Sequence, residues 1–355
     1  MSFFLRLKPA RTVAVTASLL VSLVALSGCA AESTSVPTSA SASPSASADA
    51  AATPVEYTIP REMPEGKGSG EADGVFPRTV VHFAGETTID EAPQRVVVIS
   101  TGQADAMLSL GIVPVGSTAG DGADMIPQYL YDAYPDLTSE LDGIESVGSR
   151  FDPDIEAIAN LKPDLIVLNL AGKDDADAFY ESLSAIAPTI ATQGTGLYWK
   201  QDFLLLADSV GKTEQAQAWL DDYHAEAAEF GASVEGDPTI SFLRKNGDRT
   251  RVFGVASFSG SVAEDSGLAR SESQTFTDET SLDISAEELG QADGDWIFYG
   301  VQGGDDSELT SLALWPTLGA VANDQAVSVD DDVFYLNVGP TAAREILTVL
   351  EDTLD

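Results

Sequence analysis

The chain has 355 residues, of which 57 are acidic and 18 are basic, so its formal net charge is −39. This charge excludes nucleic acid as a partner and is typical of a solvated surface that keeps an exported protein soluble. A single cysteine excludes an intrachain disulfide, and two histidines argue against a histidine-rich zinc site.

The N-terminal region predicts export and membrane attachment. Residues 1–28 combine a basic start with an apolar run at 13–26, which is too short for a membrane-spanning helix and predicts a secretory signal peptide. The run ends in Leu-Ser-Gly-Cys, which resembles a bacterial lipobox, so Cys29 is the expected lipidation site. Residues 29–77 are rich in Ala, Ser, Thr and Pro, then polar, and predict a flexible linker followed by a loose lead-in.

Two stretches of the chain repeat one pattern. Glu156 precedes Asp164 by eight residues, Glu287 precedes Asp295 by the same distance, and four apolar residues follow each aspartate. Such a pattern predicts a helical turn that leads into a buried strand of a parallel sheet. Two copies predict two lobes of related architecture.

Residues 78–195 are predicted to form the first α/β lobe. It opens with a hairpin that carries His82 on a partly exposed strand. Asp152 and Pro153 are expected to be the N-cap and first position of the helix that carries Glu156. Further strands are expected at 95–100, 112–116, 164–168 and 188–192, and helices at 103–110 and 176–185.

A helical pattern follows with at most one break, at 211–213, and predicts a stiff connector at 196–235. Residues 236–355 then form a second lobe, in which Ser285 and Glu288 make a capping box. The fold class predicted is α/β, with two α/β lobes that have central, mainly parallel sheets joined by a long connector helix. In the second lobe we expect strands at 239–243, 249–255, 295–299, 326–329 and 333–336, a Ser/Gly loop at 257–261, and helices at 309–314 and 341–350.

Several motifs, in this order and spacing, resemble one family. The region 78–354 is similar to the iron–siderophore substrate-binding lipoproteins of ABC importers, a class whose lobes are joined by a single long helix. The motifs that carry the resemblance lie at 93–100, 155–166, 284–289 and 315–321, with 242–244, 258–260 and 267–270 resembling the siderophore-binding branch.

The resemblance implies a monomeric binding protein without enzymatic activity. It would capture a ferric siderophore between its lobes and deliver it to an ABC permease, while a lipid on Cys29 anchors it at the extracellular face of the cell membrane. No resident cofactor or metal is implied, since iron arrives inside the siderophore. One surface glutamate in each lobe would dock onto arginines of the permease, and Glu156 and Glu287 match these positions; the dipole preference of helix N-termini is the alternative explanation for both.

A ferric siderophore is a compact chelate with polar oxygens, so arginine donors and aromatic faces are suited to hold it. Arg244 ends a buried strand and matches a family arginine that faces the chelate; its alternative is an ion pair with an aspartate. Arg150 precedes a helix at the expected cleft side, where structural and binding roles are equally open. The other candidates, each of which could instead be core or ion-paired, are Trp199, Phe258, Ser259, Arg270 and Trp315.

Three alternatives stay open at this point. A haem-binding protein of the same importer class would need a His or Tyr ligand, and His82 and His224 are expected away from the cleft, which leaves the tyrosines. Cobalamin is compatible with the same fold. An exported hydrolase is the more remote alternative, because the sequence has no Gly-x-Ser-x-Gly elbow, His-Glu-x-x-His motif or Walker loop.

Overall fold

The structure is a computed structural model that describes residues 58–120, 122–172 and 175–354. The predicted signal peptide, the lipidation site Cys29 and the linker up to residue 57 lie outside the described residues.

The described chain alternates strands and helices. The strands are β1 (Arg78–His82), β2 (Gly85–Ile89), β3 (Val96–Ile99), β4 (Gly116–Ala119), β5 (Glu145–Ser149), β6 (Leu165–Asn169), β7 (Thr189–Thr192), β8 (Thr239–Asn246), β9 (Arg249–Phe253), β10 (Ala269–Arg270), β11 (Ser281–Ile284), β12 (Trp296–Val301) and β13 (Ala326–Ser328). The α-helices are α1 (Gln103–Ser109), α2 (Gln128–Ala133), α3 (Thr138–Leu141), α4 (Ile155–Leu161), α5 (Ala176–Ser184), α6 (Trp199–Ser209), α7 (Thr213–Ser233), α8 (Phe258–Asp265), α9 (Ser307–Thr310), α10 (Gly319–Ala322) and α11 (Pro340–Leu354). Short 3₁₀ turns lie at Pro135–Leu137, Gly196–Tyr198, Glu272–Gln274, Ala286–Ala292 and Trp315–Thr317, and a π-helical turn at Asp332–Leu336.

Lobe one is built on a five-stranded sheet in the order β5-β4-β3-β6-β7, in which every neighbouring pair is parallel. The central strands β3 and β6 are buried at every position, because helices cover both faces of the sheet. The apolar runs in the sequence therefore become central strands, as predicted.

Lobe two is built on a separate sheet in the order β11-β9-β8-β12-β13, with the short β10 beside β8. Strands β8, β12 and β13 are parallel, whereas β9 runs antiparallel to both of its neighbours. The prediction of two lobes with mainly parallel sheets is confirmed.

The repeated sequence pattern has one structural meaning in both lobes. The carboxylate of Asp164 accepts hydrogen bonds from the backbone N–H groups of Gln94 and Arg95, both at 2.8 Å, at the start of the adjacent strand β3. The carboxylate of Asp295 accepts from the backbone N–H and the hydroxyl of Thr239, at 2.8 and 2.7 Å, at the start of β8. Each aspartate thus fixes where two neighbouring parallel strands begin.

Two helices and the C-terminal helix join the lobes. The helical stretch breaks at Gly211, whose φ of 72° ends α6, and α7 continues for 21 residues, about 30 Å, into lobe two. Helix α11 packs against α1 of lobe one and α8 of lobe two. Its first turn is capped from lobe one, since the buried carboxylate of Asp105 accepts from the backbone of Thr341 and Ala342 at 2.9 and 3.0 Å.

Several local predictions were wrong. The strand expected at 112–116 lies at Gly116–Ala119, because pairing with β3 overrides the weak strand preference of these small residues. The N-cap of α4 is Asp154, not Asp152. The expected loop at 257–261 is the start of α8, capped by Ser257, and the expected strand at 333–336 is the π-helical turn.

The N-terminal lead-in also differs from its prediction, because residues 58–77 pack against the folded chain. Ser69 hydrogen-bonds to the carboxylate of Asp208 on α6 through both its backbone N–H and its hydroxyl. Arg61 forms a 2.8 Å ion pair with Asp265 on α8. His82, expected to be partly exposed, is buried and hydrogen-bonds to Thr87, and burial lowers the pKa of its imidazole to about 4.

Candidate ligand cleft

The strand ends of both lobes meet at two adjacent cavities. In open α/β sheets, ligands bind beyond the carboxyl ends of the strands. The first cavity, of about 420 Å³, lies between residues that follow β12 and β13 and the lobe-one residues Gly122 and Asp124. The second, of about 280 Å³, lies beyond the ends of β3, β5, β6 and β7. Leu336 lines both, so the two cavities are adjacent, and we refer to them together as the cleft.

We call the second cavity the arginine cavity. Arg150 donates a 2.7 Å hydrogen bond to the carbonyl of Ala171, and its guanidinium lies 4.3 Å from the ring centroid of Phe151, a side chain that is 54% exposed. The same residue, Ala171, donates its backbone N–H to the side-chain oxygen of Asn169 at 2.7 Å, so Asn169 adds a polar group to the lining. This cavity offers a cation and an aromatic face, which suit a compact chelate with oxygen atoms on its surface.

One loop of the arginine cavity is held from behind by a buried carboxyl group. Asp202 on α6 accepts from the backbone N–H groups of Gln193 and Gly194, at 3.0 and 2.7 Å. These two hydrogen bonds act to lower the pKa of Asp202, but burial has the larger effect and raises it to about 7. Gly194 has a φ of 68°, and a Cβ there would lie 2.0 Å from the Asn169 side chain, so only glycine fits.

We call the first cavity the acidic cavity. Five aspartates line it: Asp124, Asp306, Asp330, Asp331 and Asp332. Burial raises the pKa of Asp332 to about 6, and the charges of Asp330, Asp331 and Asp124 add to this shift. These aspartates were not predicted as cleft residues, because acidic residues in this chain are typical of a solvated surface, although a run of three aspartates directly after a predicted strand was a usable signal.

The two leading arginine candidates both lie at the cleft, in different ways. Arg150 lines the arginine cavity. Arg244 is 4% exposed and forms a bidentate ion pair with Asp331, with both nitrogen–oxygen distances at 2.6 Å. The alternative weighed for Arg244, an ion pair with an aspartate, is therefore what the structure contains, and the pair forms part of the wall behind the acidic cavity.

The remaining candidates have packing contacts in the structure. Trp199 donates from Nε1 to Ser261 at 3.1 Å and meets Phe258 edge to face at 5.8 Å. The Ser259 hydroxyl donates to the carbonyl of Phe334. Contact of these residues with a ligand stays a prediction.

Arg270 and Trp315 are also built into lobe two. Arg270 donates to the carbonyl groups of Ile240 and Phe253 at 3.0 and 2.6 Å. Trp315 packs edge to face on Tyr299 at 4.9 Å. Sequence alone could not separate these roles from ligand binding, because the neighbouring residues do not show whether an arginine or an aromatic side chain packs inside a lobe or faces the cleft.

The two proposed docking glutamates occupy equivalent places. Glu156 is exposed in the first turn of α4, and Glu287 is exposed in the first turn of the 3₁₀ segment Ala286–Ala292. Each of these segments leads back into a strand that points toward the cleft, so each glutamate lies on the cleft side of its lobe. The capping box is confirmed, since Glu288 accepts from the backbone of Ser285 at 3.0 Å and leaves Glu287 outside it.

The described residues contain neither a metal-binding cluster nor a helix suited to cross a membrane. Across residues 58–120, 122–172 and 175–354, no group of three or more His, Cys, Asp or Glu side chains is arranged to hold a metal ion. Within the same described part, none of the helices combines the length and apolar character that crossing a membrane requires.

Comparison with curated proteins finds relatives along most of the chain. The "Probable siderophore-binding lipoprotein YfiY" of Bacillus subtilis is 30% identical over 307 residues, covering 81% of this chain and 90% of that protein. The iron(3+)-hydroxamate-binding protein FhuD of the same organism is 29% identical over 287 residues, covering 76% of this chain and 85% of that protein.

A solved structure of a siderophore-binding protein is also similar along most of the chain. The crystal structure of Staphylococcus aureus SirA complexed with staphyloferrin B has a TM-score of 0.66 and 26% identity, and the match covers 78% of this chain and 98% of that one. The profile of the periplasmic binding protein family matches residues 96–333, which span both sheets and the helices between them. With two α/β lobes, a connecting helix and a cleft at the strand ends, the chain belongs to the periplasmic binding protein family.

Proposed function

We propose that this protein captures a ferric siderophore in the cleft between its lobes and delivers it to an ABC importer. The observation that carries the proposal is the cleft itself, where cavities of about 420 and 280 Å³ lie at the carboxyl ends of the strands of both lobes. Relatives of the same family that are named for siderophore or ferric-chelate binding support the ligand class.

In this proposal, Arg150 and Phe151 face the chelate in the arginine cavity. Arg244 is a positioning residue, because its pair with Asp331 fixes the turn that carries Asp330 and Asp332. No resident cofactor or metal is proposed, since iron enters and leaves inside the siderophore.

Delivery requires docking and attachment. Glu156 and Glu287 would each meet an arginine of the permease, one from each lobe, which their exposure and equivalent placement allow. Attachment would be through lipid on Cys29, at the start of the segment 29–77, and would hold the binding protein at the extracellular face of the membrane; relatives named as lipoproteins support this arrangement.

Haem and cobalamin are the alternative ligands to a ferric siderophore. Among the described residues, neither histidine lines the two cavities: His82 bonds to Thr87 on the hairpin, and His224 on α7 lies 3.7 Å from Asp265. The structure thus gives haem no histidine ligand in the cleft.

The experiment is a titration of intrinsic tryptophan fluorescence against ferric hydroxamate, catecholate and citrate chelates, haemin and cobalamin. We expect saturable quenching by at least one ferric chelate and a much weaker response to its iron-free form. Saturation by haemin with a Soret band, or by cobalamin, with no response to any ferric chelate, would refute the proposal.

A further inference from the structure

A short stretch of chain crosses from lobe two to lobe one along the arginine cavity. We call residues 336–339 the crossing segment. Before it, the π-helical turn is fixed in lobe two, because Tyr335 donates its hydroxyl to the carbonyl of Phe298 on β12 at 2.7 Å. After it, α11 begins at the next residue. Leu336 and Val338 line the arginine cavity, so the position of the crossing segment shapes one wall of that cavity.

The lobe-one end of the crossing segment is held by one buried carboxylate. Asp105 on α1 is 0% exposed, and its oxygens accept from the backbone N–H groups of Thr341 and Ala342 at 2.9 and 3.0 Å. The hydroxyls of Ser109 and Tyr129 also donate to this carboxylate, at 3.3 and 3.2 Å. A carboxylate buried this deeply needs several donors to replace the water it has lost. Asp105 therefore ties α11 to α1 and α2 of lobe one.

The crossing segment also meets lobe one through its backbone. Gly102 has a φ of 88°, and a Cβ there would lie 2.5 Å from the backbone nitrogen of Val338. A Cβ on Gly339 would lie 2.6 Å from the carboxylate carbon of Asp105. Both glycines are needed because these distances leave no room for a side chain. Thr101, the residue before Gly102, lines the arginine cavity, so the contact between the lobes is continuous with the cavity wall.

Asp105 itself is not among the described residues that line the two cavities of the cleft. An effect of Asp105 on a ligand must therefore pass through the crossing segment. We propose that Asp105 is a positioning residue for the cleft, which holds the first turn of α11 and so fixes Leu336 and Val338 as the wall that a chelate in the arginine cavity packs against. This inference rests on the proposed function and adds to it a residue that acts without touching the ligand.

The first measurement compares Asp105→Asn with the wild type by amide hydrogen exchange on the full chain. Asparagine keeps the shape and one acceptor oxygen but turns an NH₂ group toward the second backbone N–H group, so one of the two cap bonds is lost. Exchange in peptides that cover 336–343 should become about tenfold faster, the factor that corresponds to one hydrogen bond to a charged group. Exchange in β6 and β12 should stay slow.

The second measurement is chelate affinity by tryptophan quenching, with ferrichrome, ferric enterobactin and ferric dicitrate as probes. Asp105→Asn should bind each chelate that the wild type binds about tenfold more weakly. The loss should come mainly from faster dissociation, because a loosened wall holds the bound chelate less well. The milder change Tyr129→Phe removes one donor to Asp105 and keeps the ring. It should shift both measurements in the same direction by about two- to threefold, and it decides the question if Asp105→Asn does not fold.

A matched control removes a similar buried carboxylate away from the cleft. Asp208 on α6 is 2% exposed and accepts from the backbone N–H and the hydroxyl of Ser69, both at 2.7 Å. Neither residue is among those that line the two cavities. Asp208→Asn should therefore speed exchange near Ser69 and leave chelate affinity unchanged. Asp237→Asn makes the same change at an exposed position with a φ of 49° and should match the wild type in both measurements.

The outcomes separate this inference from the proposed function. Faster exchange at 336–343 with wild-type affinity would show that Asp105 only caps α11, and would overturn the inference. Unchanged exchange in these peptides would overturn it too, as would an equal loss of affinity in Asp208→Asn, which would indicate general destabilisation. In each of these cases ferric-siderophore capture stands, because the wild type binds a chelate. Failure of the wild type to bind any of the three chelates overturns the proposed function and this role of Asp105 with it.

Discussion

In lobe one, α4 leads through a short turn into β6, and Asp164 ties that turn to the start of β3. In lobe two, the segment Ala286–Ala292 leads into β12, and Asp295 ties its turn to the start of β8. The exposed glutamates occupy equivalent positions at the first turns. The lobes differ where their strands end, since lobe one offers Arg150 and an aromatic face, while lobe two offers most of the aspartates.

This difference shows which parts of a two-lobed binding protein are constrained by folding and which are free to set the ligand. The start of each parallel strand needs its backbone donors satisfied, so both lobes use the same aspartate anchor. The loops beyond the strand ends are held less strictly by the sheet, so their chemistry can differ between lobes. Four predictions test this comparison, beginning with the largest expected effect.

The first concerns docking, in which the lobes should act alike. The double change Glu156→Arg and Glu287→Arg should abolish siderophore-dependent iron uptake, because the two proposed contacts with permease arginines would become repulsive. Uptake of radiolabelled iron is measured in cells that lack the native protein, and chelate affinity is measured in solution, where we expect no change. The control pair Glu181→Arg and Glu345→Arg alters exposed acids elsewhere in the two lobes. Normal uptake by the docking variant would show that these glutamates do not dock.

The second prediction concerns Arg244 of lobe two and Arg150 of lobe one, whose replacement should weaken chelate binding for different reasons. Arg244→Ala leaves Asp331, whose side chain is 11% exposed, without its partner and should lower the free energy of unfolding by about 3 kcal/mol, as measured by urea denaturation. Chelate affinity should fall about tenfold for Arg244→Ala, through the loosened turn, and for Arg150→Ala, through a lost contact. The double variant Arg244→Ala and Asp331→Ala removes both charges and should recover part of the stability. No recovery would mean that the unpaired charge is not the cause.

The third concerns pH. Folded Asp202 keeps its proton up to about pH 7, whereas the unfolded chain loses it near the ordinary pKa of 3.8. The folded state then binds more protons between these values, so this group makes stability fall as pH rises from about 4 to about 7. In Asp202→Asn this contribution is absent, so the free energy of unfolding should drop less between about pH 5 and about pH 7.5 than in the wild type. Asp237→Asn should behave as the wild type, and an unchanged pH profile in Asp202→Asn would contradict the assignment.

The fourth concerns the anchors and has the smallest expected effect. Asp164→Ala and Asp295→Ala should each lower the free energy of unfolding by about 1 kcal/mol, because both side chains are exposed and each loses two hydrogen bonds. Asp164→Asn and Asp295→Asn keep one acceptor oxygen and should lose less. Clearly unequal losses at the two positions would show that the repeated pattern does not have the same role in both lobes.

Local patterns predicted much of the fold. The apolar runs at 165–168 and 296–299 became central strands, since a run without polar positions is stable only where both faces of a sheet are covered. The capping box at Ser285 formed as expected. The errors fell where tertiary contacts override local preference, as in β4, whose Gly116 lies so close to Leu161 that a Cβ would be 2.5 Å from its side chain.

The sequence by itself determined the two-lobed α/β architecture, the equivalent glutamates and the resemblance to a binding-protein family, because periodicity, caps and turn residues act over a few neighbouring positions. Only the tertiary structure decided that Arg244 pairs with Asp331, that Trp199 packs in the core and that Asp124 of lobe one faces Asp332 of lobe two. The cleft brings together side chains that are far apart in the chain. Their charges shift each other's pKa only after folding has placed them close together and removed the water between them.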